Sequence, residues 1–183
     1  QGVAWDNIPF TPQIEELARH TRAACFGSLA QRSPVSHRTI GRFLETMPDG
    51  EGQYKVFDIN LRQHFYTQQV VEESLRKCNI LKINDEELAV VGSMFGLEGM
   101  QPGEQCRTLL DRYGLRIVIL TCGAAGSSVF APDTRSYIPT PRVEVADTVG
   151  AGDSFTASFL AALLSGLGIG EAHRLAVDVA AHV

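Results

Sequence analysis

Short apolar runs alternate with amphipathic stretches in the part of the chain before Thr121. The apolar runs are bounded by polar or turn residues, which is typical of buried strands, and they cover residues 22–27, 54–59, 79–83 and 115–121. Between them, apolar residues recur at helical spacing over residues 34–47, 68–77 and 102–113. Parallel strands need a crossover connection that is usually a helix, so this alternation predicts an α/β fold with a mainly parallel sheet.

The pattern changes after Thr121. Two strand-like segments, residues 127–131 and 135–138, are joined by a Pro-Asp-Thr turn, which predicts a small β-meander at one edge of the sheet. Two further helices are predicted, one over residues 152–164 and one from residue 170 to the end.

The helix predicted over residues 34–47 has a start signal in the sequence. Ser33 and Pro34 suit its N-cap and its first helical position.

The composition is that of an ordinary globular protein. A chain of 183 residues with 44% hydrophobic residues can bury one core, so a single domain over residues 1–183 is predicted. The net charge of −5 offers no broad positive field to a nucleic acid. The four cysteines lack metal-ligand spacing and the longest apolar stretch is too short to cross a bilayer, so a cytoplasmic protein without a membrane partner is expected.

The strongest chemical motif is DTVGAGDSF, at residues 147–155. A turn through Gly150, Ala151 and Gly152 that enters a helix leaves the first amide hydrogens unpaired, and the helix dipole adds positive potential, so an anion is predicted there. Asp153 would lie beside that anion, where a carboxylate can accept the proton of a hydroxyl that attacks phosphorus. The alternative is that the glycines form only a tight turn and Asp153 caps the helix.

Asn84 and Glu87 directly follow the predicted strand over residues 79–83. Residues three apart in a first helical turn share a face, so both side chains can point at one spot beyond the carboxyl end of the strand. The same pattern is also a capping box, which would start a helix without any ligand. The two interpretations are compatible with each other.

A third polar group ends the strand over residues 54–59. Alternation places Asp58 and Asn60 on one side of the strand, and Arg62 follows in the loop. Loops at the carboxyl ends of parallel strands form ligand crevices, and a guanidinium suits phosphate oxygens. Ordinary turn chemistry with a surface arginine explains the pattern equally well.

A fourth group, Thr121, Gly123 and Gly126, follows the strand over residues 115–121. Glycines permit tight turns or the close approach of a ligand to the backbone. A purely structural turn is the simpler explanation of this group.

DTVGAGDSF followed by a small-residue helix resembles the C-terminal signature of the PfkB, or ribokinase-like, carbohydrate kinases. The N-x-x-E and D-x-N-x-R patterns occur in the order that this family shows, and the second, with Gly27-Ser28-Leu29-Ala30 upstream, is similar to fructokinases. The resemblance extends from about Gly27 to Val183. It implies a ribokinase-like three-layer α/β/α sandwich and transfer of the γ-phosphoryl group of ATP to a ketohexose hydroxyl, with fructose as the favoured acceptor.

The resemblance also implies roles for individual residues. Asp153 would be the catalytic base, and the backbone of Gly150, Ala151 and Gly152 would form the anion hole. The other implied contacts are Asn60 and Arg62 with the sugar or the phosphoryl path, Thr121, Gly123 and Gly126 with adenosine, Asn84 and Glu87 with hydrated Mg²⁺, and Asp147 and Val149 with a monovalent cation such as K⁺.

Members of this family run to about 300 residues, so the chain is expected to be the C-terminal nucleotide-binding and catalytic part of a longer kinase, without the N-terminal lid. Related kinases often dimerise through that lid, which leaves a homodimer open for the full-length protein. The acceptor could instead be ribose or 2-keto-3-deoxygluconate. A non-catalytic or truncated nucleotide-binding module is the other alternative, because a site without its lid admits water.

Overall fold

A computed structural model describes residues 2–141 and 150–182. In these residues the strands form one six-stranded sheet, in the spatial order β1 to β6. Strands β1 to β4 pair in parallel, and β5 and β6 complete the sheet as an antiparallel meander. The strands are β1 (Ala23–Phe26), β2 (Tyr54–Asp58), β3 (Ile80–Asn84), β4 (Ile117–Thr121), β5 (Ser127–Ala131) and β6 (Thr134–Ile138). The predicted sheet and its meander are confirmed.

Helices connect and cover the strands. They are α1 (Pro12–His20), α2 (Pro34–Thr46), α3 (Gln68–Lys77), α4 (Asp85–Met94), α5 (Pro102–Tyr113), α6 (Ala151–Leu164) and α7 (Ile169–Ala180), with 3₁₀ turns at Ala4–Asp6, Leu29–Arg32 and Gly123–Ala125. Each predicted helix is present within a few residues of its expected bounds. Helix α1 was not predicted, although Thr11 caps it by accepting a hydrogen bond from the Ile14 amide and Pro12 occupies its first position.

Alternation along the strands divides the core into two layers. Phe57, Leu81 and Val118 face one side of the sheet and pack with apolar residues of α3, α4 and α5. Val56 and Ile80, on the opposite side, pack with apolar residues of α6 and α7. Helices therefore cover both faces of the sheet, as expected for a three-layer sandwich.

The start of α2 differs from the expectation for Ser33. This residue is at the N-cap position, but its hydroxyl donates to the carbonyl of Asp6 at 2.5 Å instead of accepting an amide of the helix. The Asp6 carboxylate in turn accepts from the Arg32 guanidinium at 2.8 Å. A contact with the N-terminal segment thus replaces the local cap, because the hydroxyl has a competing acceptor.

The carboxyl ends of the parallel strands form one edge of the sheet, where distant parts of the chain come together. Asp58 pairs in register with Lys82, and Asn84 pairs with Thr121 at the carboxyl ends of neighbouring strands. The amino end of α6 lies over the same edge, because the Thr156 hydroxyl reaches the Asp58 carboxylate. Of the helices in the described part of the chain, none is long and apolar enough to cross a membrane.

Candidate active site

The amino end of α6 presents backbone amides at the carboxyl edge of the sheet. Gly150 adopts a left-handed conformation, with φ of 91°, and its carbonyl accepts the first helical hydrogen bond from the Ser154 amide at 2.8 Å. The amides of Ala151, Gly152 and Asp153 therefore have no acceptor within the helix. Gly152 and Asp153 are exposed. This end of the helix is accessible to an anion, which the positive end of the helix dipole would stabilise.

A buried carboxylate beneath this turn links two strands to the helix. Asp58, which is only 4% exposed, accepts hydrogen bonds from Lys82 Nζ at 3.1 Å and from Asn60 Nδ2 at 3.0 Å, both on Oδ1. Its Oδ2 accepts from the hydroxyl of Thr156 at 3.1 Å. The ends of β2 and β3 are thereby fixed against the second turn of α6.

The charges in this cluster influence one another. Burial raises the pKa of Asp58, while the charge of Lys82 and the hydrogen bonds from Lys82 and Thr156 act to lower it. The carboxylate of Asp153 adds to the rise in the pKa of Asp58 by repulsion. The first turn of α6, which carries Asp153, lies against this cluster, because a Cβ atom added to Gly152 would be 3.3 Å from Lys82 Nζ.

Lys82 and Thr156 are functional candidates that the sequence analysis missed. A Cβ atom added to Gly152 would lie 3.3 Å from Lys82 Nζ, so the ammonium group lies against the first turn of α6. The available signal was a lysine in the middle of an otherwise apolar strand. Thr156 had no such signal, since its contact with Asp58 spans 98 positions of sequence.

Asn60 and Arg62 lie differently with respect to this cluster. Asn60 has a φ of 42°, in the left-handed region that asparagine tolerates better than most residues, and its side chain contacts Asp58. The two side chains are thus in contact, although Asn60 lies beyond the end of β2 and does not continue the strand alternation on which the prediction was based. Arg62 is exposed in the loop that follows.

Asn84 and Glu87 form the capping box that the pattern predicted. Asn84 Oδ1 accepts from the Glu87 amide at 2.8 Å, and Glu87 Oε2 accepts from the Asn84 amide at 3.0 Å. Glu87 Oε1 also accepts from the amide of Leu61 at 3.0 Å, which ties the loop after β2 to the start of α4. Each carboxylate oxygen keeps acceptor capacity for water, so the pair fits a hydrated Mg²⁺. Within residues 2–141 and 150–182, no group of three or more His, Cys, Asp or Glu could hold a metal.

The turn after β4 has a structural requirement for glycine. Gly126 has a φ of 112°, and an added Cβ would lie 2.5 Å from the carbonyl oxygen of Ile138. The Cys122 amide donates to the Gly126 carbonyl at 2.8 Å, and the Thr140 hydroxyl donates to the Gly123 carbonyl at 2.5 Å. This compact turn begins at Thr121, next to Asn84, so the predicted nucleotide and Mg²⁺ contacts adjoin each other.

Asp147 and Val149, the predicted ligands of a monovalent cation, lie outside the described residues. Most of the other predicted residues lie in two groups at the carboxyl ends of the parallel strands, with Asn60 in contact with Asp58 and Arg62 exposed in the loop after β2. One contains Asp153 and the turn at residues 150–152 above Asp58, and the other contains Asn84, Glu87 and the turn that begins at Thr121. Together these features offer amides to an anion, a carboxylate to a proton and hard oxygen atoms to a hydrated cation.

Comparisons with known proteins give a consistent result. The profile of the pfkB family carbohydrate kinases matches residues 34–183. A fructokinase from Rhizobium leguminosarum bv. trifolii is 31% identical over 84% of this chain and 46% of its own length. A 2-dehydro-3-deoxygluconokinase from Escherichia coli is 32% identical over 83% of this chain and 50% of its own length.

The fold has a clear counterpart among solved structures. The crystal structure of a PfkB protein from Polaromonas sp. JS666 matches with a TM-score of 0.82 at 19% identity, over 100% of this chain and 60% of that one. The expected ribokinase-like sandwich is confirmed by this match. The chain spans about half the length of the curated relatives it matches.

Proposed function

The chain belongs to the pfkB family of carbohydrate kinases, and on this premise we propose that the protein is an ATP-dependent sugar kinase with fructose as its acceptor. The observation that carries the proposal is the exposed amino end of α6, where amides without an acceptor in the helix and Asp153 share a turn that lies against Lys82 of the Asp58 and Lys82 cluster. The fructokinase relative supports fructose as the acceptor. A cytoplasmic location, and a homodimer in the natural full-length protein, belong to the same proposal.

In the proposed reaction the sugar hydroxyl attacks the γ-phosphorus of ATP. A bond forms between the sugar oxygen and the γ-phosphorus. The bond between the γ-phosphorus and the oxygen that bridges it to the β-phosphorus breaks, and ADP leaves. Asp153 accepts the proton of the hydroxyl, while the backbone turn of Gly150, Ala151 and Gly152 stabilises the charge on the equatorial oxygens through the amides that begin α6. Phosphoryl transfer depends mainly on positioning and electrostatics, which is what the exposed start of α6 would supply.

The remaining predicted residues have supporting roles in the proposal. When bound, Mg²⁺ would neutralise the charge of the ATP phosphates, and Asn84 and Glu87 would hold it through water. Thr121, Gly123 and Gly126 would line the adenosine side of the site. The remaining proposed contacts are Asn60 and Arg62 along the sugar and phosphoryl path, and Asp147 and Val149 at a K⁺ ion.

A second acceptor has support of its own. The 2-dehydro-3-deoxygluconokinase relative is 32% identical to this chain, against 31% for the fructokinase. The acceptor is tested by coupled ADP release from the natural full-length protein with fructose, ribose, adenosine or 2-keto-3-deoxygluconate. We expect the highest kcat/KM with fructose. A preference for another acceptor would show that fructose is the wrong acceptor but would leave the proposed kinase function intact. No transfer to any of the four acceptors would contradict the proposal.

The role of Asp153 is tested by Asp153→Asn. Without a proton acceptor, kcat should fall by about 10²- to 10⁴-fold, the usual contribution of general base catalysis, while ATP binding changes little. The control is Glu171→Gln, which removes a first-turn carboxylate from α7. That carboxylate should lie roughly 20 Å away, since α6 and α7 are joined at the far end of a 14-residue helix. Near-normal kcat in Asp153→Asn would exclude Asp153 as the base.

A further inference from the structure

Lys82 carries a buried positive charge beside the proposed phosphoryl site. The residue is only 8% exposed, and its ammonium group donates to Asp58 Oδ1 at 3.1 Å. The same nitrogen would lie 3.3 Å from a Cβ atom on Gly152. Glycine at position 152 thus leaves room for the ammonium group next to the backbone amides of α6.

Lys82 and Asp58 differ in how much of their hydrogen-bonding capacity is used. An ammonium group has three donors, and the bond to Asp58 uses one of them. Asp58 accepts from three side chains, since Asn60 and Thr156 also donate to it. The carboxylate is therefore fixed from three directions, whereas within residues 2–141 and 150–182 the ammonium group has Asp58 as its one acceptor and retains donors for a ligand.

Thr156 relates this pair to the helix. Its hydroxyl bonds Asp58 and lies one turn after Gly152, so the position of Asp58 is set relative to the first turn of α6. A charge held in advance beside a site where negative charge develops stabilises that charge without reorganisation. The arrangement places such a charge next to the amides of residues 151–153.

A second buried lysine, Lys55, forms an ion pair away from the proposed phosphoryl site. Lys55 is 6% exposed and donates to Asp49 at 2.7 Å. It lies on the opposite face of the sheet from Asp58, because three positions along a strand reverse the side-chain direction. Lys55 therefore resembles Lys82 in its own burial and in having a carboxylate partner, but the side chain of Asp49 is 85% exposed and Lys55 does not lie beneath the amino end of α6.

We propose that Lys82 binds the transferring phosphoryl group and that Asp58 is the positioning residue that holds Lys82 against the first turn of α6. This proposal rests on the proposed kinase function. It adds a side-chain cation at the first turn of α6, next to the backbone amides and Asp153.

The test compares Lys82→Met with the matched control Lys55→Met in the natural full-length protein. We expect kcat/KM for ATP to fall about 100-fold in Lys82→Met, as when one donor to a developing charge is removed, while adenosine affinity changes less than twofold. Lys55→Met should keep both values within about threefold of wild type. Lys82→Arg retains the charge, so its kcat/KM for ATP should be at least tenfold higher than that of Lys82→Met.

The positioning role of Asp58 needs its own measurement. Asp58→Asn leaves Lys82 in place but weakens its hold, so kcat should fall about tenfold with little change in the KM for ATP. A decrease in thermal stability with unchanged kcat would show that Asp58 is only structural, and would overturn this part of the proposal.

Lys82→Met leaves a buried carboxylate without its counter-charge and could unfold the protein. The double variant Lys82→Met/Asp58→Asn removes both charges and should fold. If it still shows a loss of 30-fold or more in kcat/KM for ATP, Lys82 acts on the ligand. Wild-type kcat/KM in the folded double variant would overturn the proposal.

Failure of this inference is distinguishable from failure of the proposed function. If wild type transfers phosphate and Asp153→Asn does not, the kinase function holds whatever Lys82→Met shows. If wild type transfers nothing to any acceptor, the kinase proposal fails, and calorimetric binding of ATP and adenosine still decides the role of Lys82. Equal losses of ATP and adenosine affinity in Lys82→Met would contradict a phosphate contact.

Discussion

At the scale of single residues, Glu87 combines a structural and a proposed functional role. Its two carboxylate oxygens accept the amides of Asn84 and Leu61. In Glu87→Gln only one acceptor oxygen remains, so one amide loses its partner and stability should fall by about 1–2 kcal/mol. If Glu87 also helps to hold hydrated Mg²⁺, the Mg²⁺ concentration for half-maximal activity should rise about tenfold.

Urea unfolding and Mg²⁺ titration of the activity measure these two effects separately. The control is Glu86→Gln, which neutralises an exposed carboxylate in the same helical turn. Both quantities should stay near wild type in that variant, because surface substitutions of this kind usually change stability by less than about 0.5 kcal/mol. If Glu87→Gln lowers the stability without changing the Mg²⁺ requirement, Glu87 only caps α4 and does not help to hold Mg²⁺.

At the scale of elements, the turn between β4 and β5 depends on Gly126. An added methyl group would meet the carbonyl oxygen of Ile138 and the Cα of Pro139, at 2.5 and 2.8 Å, and the φ of 112° is itself strained for alanine. Backbone atoms cannot move aside cheaply, so Gly126→Ala should destabilise the protein by roughly 3 kcal/mol or more. Urea unfolding measures the change.

Gly99 is the matched control for Gly126. Its φ of 83° is also left-handed, but an added Cβ would meet nothing within 4 Å. Gly99→Ala should therefore cost only the backbone strain, about 1 kcal/mol. If the two variants lose the same free energy of unfolding, the contact between residue 126 and the end of β6 does not contribute to the destabilisation.

Most elements could be predicted because their signals are local. The apolar runs that became β2 and β3 are almost completely buried, and the spacing of Asn84 and Glu87 specified the cap that begins α4. The contacts of Asp58 could not be found in this way. Lys82 is 24 positions from Asp58 and Thr156 is 98, and only the parallel register and the return of α6 over the sheet bring them together.

At the scale of the whole molecule, His173 joins the C-terminal helices to the meander. It is fully buried on α7, its ring nitrogens lie 2.8 Å from the hydroxyls of Ser127 on β5 and Ser136 on β6, and its ring packs edge-on against Phe155 of α6. Burial lowers the pKa of His173 from 6.5 to about 4. The neutral imidazole is therefore the form that the packed molecule holds.

This pKa shift predicts acid sensitivity. The unfolded chain binds a proton at position 173 below about pH 6.5, whereas the folded protein binds it only below about pH 4. Between these values the unfolded state holds more protons, so stability falls as the pH is lowered through this window, by up to about 3 kcal/mol in total. In His173→Gln this contribution disappears, and the dependence of unfolding free energy on pH should flatten between pH 6.5 and 4.

Urea unfolding at several pH values between 4 and 7 measures the effect, with His20→Gln as the control because His20 is exposed on α1. The raised pKa of Asp58 acts in the opposite direction, since it favours the folded state as the pH falls. Asp58 is present in wild type and in both variants, so its effect cancels when they are compared. An unchanged pH dependence in His173→Gln would show that His173 is protonated equally in both states, and that acid acts on the fold through other groups.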